Sequence, residues 1–516
     1  MMLRLTIAAM AAAAASADSK LMIHVPQSMD KPGGYEHREA LFGKPPYGNS
    51  ISQNVIYSDS TLCDADFDTT KGYPEIELDN EFHSWNPPFI LMVDRGDCTF
   101  VRKVRHAQMA GASGVVIADH KCLCSDEACK KEYGSDDCEG NEPIMADDGS
   151  GGGITIPAFL MTRTDADKVK VQLKDNHPVK MEMKWNLPSA EDRVEYELWS
   201  VPADPVSREF LVEFKNIAEK FGKKAQLTPR MYIFDGLRTH CQSQDGENYC
   251  ANLCTNNGRY CATDPDDDLD RGISGADVVT ESLRRLCIWD HYGKDDGVGQ
   301  PWWAYVAEFD KRCTRKNFFT REECIQDVYD HSGIDKEKID RCMSNSGGLV
   351  GDGANTFLEE ELGMQRRRGV VVLPTAFVNT APLRGELTAS NVFNAICAGF
   401  SESTSPEICS QCSGCNNVTT CLSNGYCEDS TPVIPKSKGS SGGVSHHSFA
   451  FTMIVIIAAF SGAGFWYHNK TRQDMRDQVR GILSDYMPLD DPEGAQQTGG
   501  APMAFAQQGG TQSLIG

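Results

Sequence analysis

The sequence predicts an α/β and α+β multidomain chain held on one transmembrane helix. Three observations predict it. A strand, turn, helix, strand text runs through the first third, two apolar strands enclose a long cysteine-bearing helical stretch in the middle, and one almost unbroken apolar run, Phe449 to Tyr467, stands near the C-terminus. At ~1.5 Å per helical residue that run spans roughly the ~30 Å hydrocarbon core of a bilayer.

In order from the N-terminus, Arg4, the apolar Leu5 to Ala15 and the small residues Ala15-Ser16-Ala17 have the form of a secretory signal, so residues 1–17 are expected to be removed. The first domain is placed at 18–190. Phe89-Ile90-Leu91-Met92-Val93 reads as a buried strand ending at the turn Asp94-Arg95-Gly96-Asp97, after which Phe100, Val104, Ala107 and Gly111 recur at helical spacing and Val115 to Ala118 supplies another strand. Val179, Met181, Met183 and Trp185 alternate with Lys180, Glu182 and Lys184, the pattern of a half-exposed strand. The second domain, 191–400, opens on Met231-Tyr232-Ile233-Phe234 and closes on Val370 to Val378, with helices between. A short segment, 401–448, holds Cys409, Cys412, Cys415, Cys421 and Cys427 and then a Gly/Ser stalk. The membrane helix is 449–467. Lys470, Arg472, Arg476 and Arg480 outnumber Lys436 and Lys438 across it, which puts the tail, 468–516, in the cytosol.

All 20 cysteines fall between Cys63 and Cys427, on the side this topology makes lumenal and oxidising, and their even count argues for disulfides. Cys63 and Cys98 are expected to pair, since both lie in the first domain and Cys98 follows the turn at Asp94 to Asp97. A net charge of −23 without a basic stripe excludes nucleic-acid binding; Arg366-Arg367-Arg368 reads as a solvated loop. No catalytic residue is assigned: His-Glu-x-x-His is missing, and Gly439-Ser440-Ser441-Gly442-Gly443 spells a nucleophile elbow in a linker with no strand before it. No metal site is assigned either. Cys409, Cys412 and Cys415 have zinc-like spacing but no histidine partner. Asp266, Asp268, Asp270, Gly272 and Asp277 approach a calcium loop whose glycine is displaced by one position, so no cofactor is expected and calcium is the candidate if one binds. Asn417-Val418-Thr419 is a lumenal glycosylation sequon at Asn417, whereas Asn469 stands at the cytosolic boundary and should stay bare.

Asp94-Arg95-Gly96-Asp97-Cys98-Thr99-Phe100, with Ala107-Gln108-Met109-Ala110-Gly111-Ala112 and Ile156-Pro157-Ala158, resembles the protease-associated domain. Further strings extend the resemblance: Asp192 to Trp199, Asn257 to Cys261 with Asp264-Pro265, Pro301-Trp302-Trp303, Leu373-Pro374-Thr375, and Asp477 to Leu483 leading into Tyr486-Met487-Pro488-Leu489. Together they resemble the plant-type vacuolar sorting receptors over nearly the whole chain. The resemblance implies a protease-associated domain followed by a thioredoxin-like domain with a helical insertion and Pro374 in the cis form. It implies a single-pass type I receptor of the Golgi, trans-Golgi network and prevacuolar compartment, which binds sorting peptides of soluble vacuolar or lysosomal hydrolases. The tail motif Tyr486, Met487, Pro488, Leu489 would bind a clathrin adaptor as an added strand. Where that family carries growth-factor-like repeats, this chain has only its short cysteine cluster.

Asp235-Gly236-Leu237-Arg238 stands where a redox Cys-x-x-Cys would be expected, so the second domain reads as a redox-inactive scaffold. The rival reading, a membrane-anchored protease or redox enzyme with the same accessory module, lacks a nucleophile, a metal motif or a cysteine pair in context. The candidate cargo site is therefore the turn Arg95, Gly96, Asp97, Cys98, Thr99, Phe100. N–H groups of the first helical turn have no internal partner and can receive an extended peptide, with Arg95 either adding a donor fork or bracing the turn against an acid. Thr99 departs from the family, which has an aromatic residue there. Acid release is expected to draw on Asp94 and Asp97, or on His106 and His120, since free aspartate titrates near ~3.9 and free histidine near ~6.5.

Overall fold

A seven-stranded sheet in the order β1-β9-β3-β4-β5-β8-β2 builds the first domain. Its elements are β1 (Ser19–Val25), β2 (His37–Glu39), β3 (Ser50–Tyr57), β4 (Phe89–Asp94), α1 (Phe100–Met109), β5 (Ala112–Ala118), β6 (Cys122–Leu123), α2 (Glu127–Tyr133), β7 (Cys138–Glu139), β8 (Ala158–Met161), α3 (Arg163–Lys174) and β9 (Lys180–Trp185). The computed structural model describes residues 19–427 except 76–84, 135–137, 189–192, 244–245, 270, 316–317, 371 and 416. The expected signal, stalk, transmembrane run 449–467, Asn469 and tail motif Tyr486 to Leu489 lie outside the described residues. Among those described, no helix is long and apolar enough to cross a membrane.

The unbroken apolar run of β4 is explained by burial on both faces, the condition of a central parallel strand. Side chains alternate across a strand. Ile90 and Met92 therefore join the core under α3 with Val116, Phe159 and Val169, while Phe89, Leu91 and Val93 join the core under α1 with Val115, Val101 and Val104. Strands β3, β4, β5 and β8 run parallel, so the β4-to-α1 turn emerges at their carboxyl ends.

The second domain holds a four-stranded sheet, β11-β10-β15-β16. It comprises β10 (Val194–Ser200), α4 (Pro205–Phe221), β11 (Ala225–Met231), β12 (Phe234–Asp235), β13 (Cys254–Thr255), β14 (Tyr260–Cys261), α5 (Gly275–Tyr292), α6 (Gln300–Cys313), α7 (Glu322–Ser332), α8 (Lys336–Asn345), α9 (Thr356–Arg368), β15 (Thr375–Val378), β16 (Ala381–Pro382), α10 (Ala389–Ala398), α11 (Glu407–Cys412) and α12 (Val418–Asn424). The opening strand is β10, not Met231 to Phe234, whose residues end β11 and begin β12. Glu195 and Glu197 interrupt the apolar text of β10 because that strand alternates buried and outward positions. The segment where a redox pair would sit is accordingly Val201-Pro202-Ala203-Asp204, ahead of α4; it too has no cysteine, and Asp204 caps the helix instead. The Leu373-Pro374 bond is cis.

Helices α5 to α9 form the insertion, packed about Trp302, Trp303, Tyr305 and Phe309 and crosslinked by Cys287–Cys342 and Cys313–Cys324. Arg366-Arg367-Arg368 is the last turn of α9 rather than a loop, with Arg366 on Asp235 at 3.0 Å, Arg368 on Glu197 and its guanidinium 5.2 Å from the Phe377 ring. Basic residues suit the negative end of a helix. The acidic stretch caps backbone: Asp266 accepts the N–H groups of Asp268 and Ile273, and Asp277 completes a capping box with Ser274 at the start of α5. Cys409, Cys412 and Cys415 are consumed in bridges to Cys397, Cys421 and Cys427, which leaves no thiolate for zinc, and α11 and α12 share the core of α4 and α10.

A seam of backbone hydrogen bonds joins the domains. The β2–β3 loop of the first meets the segment after β16: Gly385 donates to Ala40 O at 3.0 Å, Glu386 donates to Gly43 O at 2.8 Å, and the Tyr47 hydroxyl bonds both the N–H and the carbonyl of Arg384.

Candidate functional site

The β4-to-α1 turn is built from three anchored pieces. Backbone pairing carries the strand past its end, Asp94 N–H donating to Ser60 O at 2.9 Å and Arg95 N–H to Ala118 O at 3.0 Å. Gly96 follows at φ +119°, a conformation that favours glycine although the space beside it is open. Asp97 then sits at φ +64°, and Cys98 N–H donates back to Gly96 O at 2.8 Å, closing a three-residue turn of a strained kind. Cys98 is bonded to Cys63. The helix cap is Thr99: its hydroxyl accepts the Arg102 N–H at 3.3 Å and its carbonyl that of Lys103. The N–H groups of Phe100 and Val101 remain as first-turn donors without a helical partner.

Arg95 is a brace. Its side chain is only 11% exposed, and the guanidinium meets Asp119 at 3.0 Å and Glu139 at 2.8 Å, so the expected free fork is already occupied. Burial works against its charge, yet the Glu139 hydrogen bond and the Asp119 charge together hold it above its ordinary value. The guanidinium also lies 5.9 Å from the Phe100 ring. Asp97 is exposed, whereas Asp94 is drawn away from the turn by Lys170 at 2.7 Å and the Tyr57 hydroxyl at 2.9 Å. Of the two histidines, His106 is buried with Nδ1 on Leu62 O at 2.8 Å, and His120 is exposed.

Sequence reasoning missed three side chains here. Lys103 is fully buried beneath the turn, its ammonium donating to Thr61 O at 2.8 Å and to Gly96 O. A signal existed, since Lys103 stands three residues after Phe100 on the same inward stripe as Val104 and Ala107, where an unpartnered charge would be costly. Asp119, directly after β5, was placed beside Arg95 by strand pairing alone. Glu139 carried no signal. Asn417 is exposed and caps α12, its side-chain oxygen accepting the Thr420 N–H.

Residues 51–169 match the family model of the PA domain, and residues 194–397 that of the vacuolar sorting receptor thioredoxin-like domain. Vacuolar-sorting receptor 1 of Pisum sativum is 34% identical over 423 residues, 78% of this chain and 63% of that protein. Vacuolar-sorting receptor 4 of Arabidopsis thaliana is 33% identical over 405 residues, 76% and 60%. Both domains thus match in order, and the chain is similar to vacuolar-sorting receptors over about three quarters of its length. The chain spans about three fifths of the length of these relatives. Among solved structures, DsbA of Pseudomonas aeruginosa overlays loosely, at 14% identity over 42% of this chain and 85% of that chain with a TM-score of 0.25.

Proposed function

We propose that the chain is a single-pass type I receptor that takes sorting peptides of soluble vacuolar or lysosomal hydrolases in the Golgi lumen at the turn Arg95 to Phe100. Its tail would deliver them to a prevacuolar compartment by recruiting a clathrin adaptor. The observation that carries this reading is the match to named sorting receptors across both domains in order. The turn supports it by presenting the Phe100 N–H, a first-turn donor, beside an exposed Asp97, on a base fixed by the Arg95 ion pairs. A peptide backbone laid across the turn would accept from that donor. Affinity capture of the organism's secretory extract on the purified lumenal segment is the test. Soluble hydrolases recovered intact support the receptor; recovery of cleaved fragments points to the enzyme alternative.

Cargo affinity is expected to fall at least tenfold between pH 7 and pH 4. A receptor that unloads in an acidic compartment must bind less tightly there, and the turn is built on carboxylates, Asp119 and Glu139 on Arg95 and an exposed Asp97. Titrating captured cargo across this range checks it, and a flat profile means that release has another driver.

Tyr486→Ala is expected to move the protein from endosomal carriers to the cell surface or to degradation, because an adaptor that binds the tail as a strand loses its phenol pocket. Leu489→Ala should act alike, since both pockets hold one extended segment. Unchanged localisation of the tagged variants would remove the tail from the proposal.

A further inference from the structure

An ammonium buried at 0% exposure is costly unless its donors are met, so Lys103 on the inward face of α1 calls for a reason that packing does not supply. Its contacts give one. The ammonium reaches Thr61 O at 2.8 Å, lies 3.4 Å from Cys63 Sγ, and donates to the Gly96 carbonyl that also accepts the Cys98 N–H. That carbonyl is the oxygen on which the Asp97 turn closes. A non-glycine residue at φ +64° is strained and persists only where its surroundings over-determine it. Three constraints meet here: the Cys63–Cys98 bond, the Arg95 ion pairs and the Lys103 ammonium.

We propose that Lys103 is a positioning residue of the cargo turn, its buried ammonium tying the Gly96 carbonyl to Thr61 and so keeping the strained Asp97 turn and the N–H groups beyond it in receptive shape. The inference rests on reading this turn as the cargo site. Lys103 touches no cargo; it acts through Gly96.

Burial lowers Lys103 to about 8, against the pull of Asp97 and Asp94. The groups facing it are Asp94 on β4, Asp97 in the turn, and His106 one turn along α1; Cys63 and Cys98 are bonded and do not titrate. Charge-assisted hydrogen bonds are roughly twice as strong as neutral ones, so the hold on Gly96 weakens as pH rises through about 8. Global stability moves the other way. Because the folded value lies below the ordinary lysine value of 10.5, the unfolded chain binds the extra proton between the two, and the contribution of this group to stability rises across that window. Loosening of the turn is thereby separable from loss of the fold.

The experiment measures amide hydrogen-exchange protection on the full chain in detergent from pH 6.5 to pH 9.5, for the wild type, Lys103→Met and Lys103→Arg. In the wild type, protection of the Cys98 amide is expected to drop several-fold with a midpoint near pH 8, while the Ala107 and Gln108 amides of α1 hold within twofold. Lys103→Met should be about tenfold less protected at Cys98 from the start and flat with pH; Lys103→Arg should restore protection and stay flat. A second arm measures binding of a pool of synthetic peptides covering the ends of soluble hydrolases, and affinity should follow Cys98 protection. If the pool fails to bind even the wild type, the cargo reading of the turn falls and with it the positioning role, whereas pool binding that ignores Cys98 protection overturns the role of Lys103 alone. Equal Cys98 protection in wild type and Lys103→Met, or loss spread equally over α1, likewise overturns the proposal.

Discussion

Arg95→Ala is expected to lower the melting temperature of the first domain and to abolish peptide binding together, rather than to remove binding from an intact fold. The decision turns on magnitude. An exposed ion pair contributes about 0–1 kcal/mol, whereas breaking a buried one by removing a partner costs ~3–5 kcal/mol because the other charge is stranded. Arg95 is 11% exposed and faces Asp119 at 9% and Glu139 at 23%, which places it near the lower end of the buried case. About 3 kcal/mol in a domain of this size corresponds to a fall of roughly 6–12 °C. Two acids would also be left facing each other where the turn begins, and the strained Asp97 would lose one of its supports. Arg95→Lys should recover part of the stability through charge but less of the binding, since an ammonium lacks the fork that spans both acids. Calorimetry and a peptide titration on the same samples check this. A melting temperature unchanged within about 1 °C with binding abolished would mean that Arg95 itself contacts cargo.

What the sequence made legible divides by how local the cause was. The strand at Phe89 to Val93, the turn, the helix from Phe100 and the alternating strand at Lys180 to Trp185 were readable because periodicity and glycine placement are local properties. Pro374 was readable only through resemblance, as was the sheet around it. The opening strand of that sheet was misplaced because β11 is an edge strand whose end runs into the apolar Tyr232 and Ile233, which looked more strand-like than the glutamate-bearing β10. At the site, residue type suggested an available guanidinium on Arg95. Its occupation depends on Asp119 and on Glu139, brought in from 24 and 44 residues away, and no spacing rule reports that. The buried lysine was the exception, a long-range anchor visible in a helical stripe.

Gly385→Ala is expected to undock the two domains while each stays folded. Gly385 has φ +83°, which for an L side chain costs about 1–2 kcal/mol by itself. A Cβ there would stand 2.4 Å from Pro45 Cδ and 2.7 Å from Gly43 O, a ring carbon and a backbone oxygen with no flexible end to yield. The seam must therefore open, giving up the Gly385-to-Ala40 and Glu386-to-Gly43 hydrogen bonds and pulling Arg384 off the Tyr47 hydroxyl. Gly33→Ala is the control: Gly33 has φ +90° in the first domain, with nothing near its missing Cβ, so it reports strain without the close approach. One cooperative thermal transition should split into two in Gly385→Ala and remain single in Gly33→Ala, with small-angle scattering showing a larger radius of gyration only for the former. The split should narrow under acid. Burial outweighs nearby Lys44 and, with Asp147, raises the Glu386 carboxyl; stability from an acid raised by folding is present below its unfolded value and is lost as pH rises through the folded one. If both variants shift equally and keep a single transition, the domains are docked by Tyr47 and the apolar contacts around it, and the close approach of backbone at Gly385 is incidental.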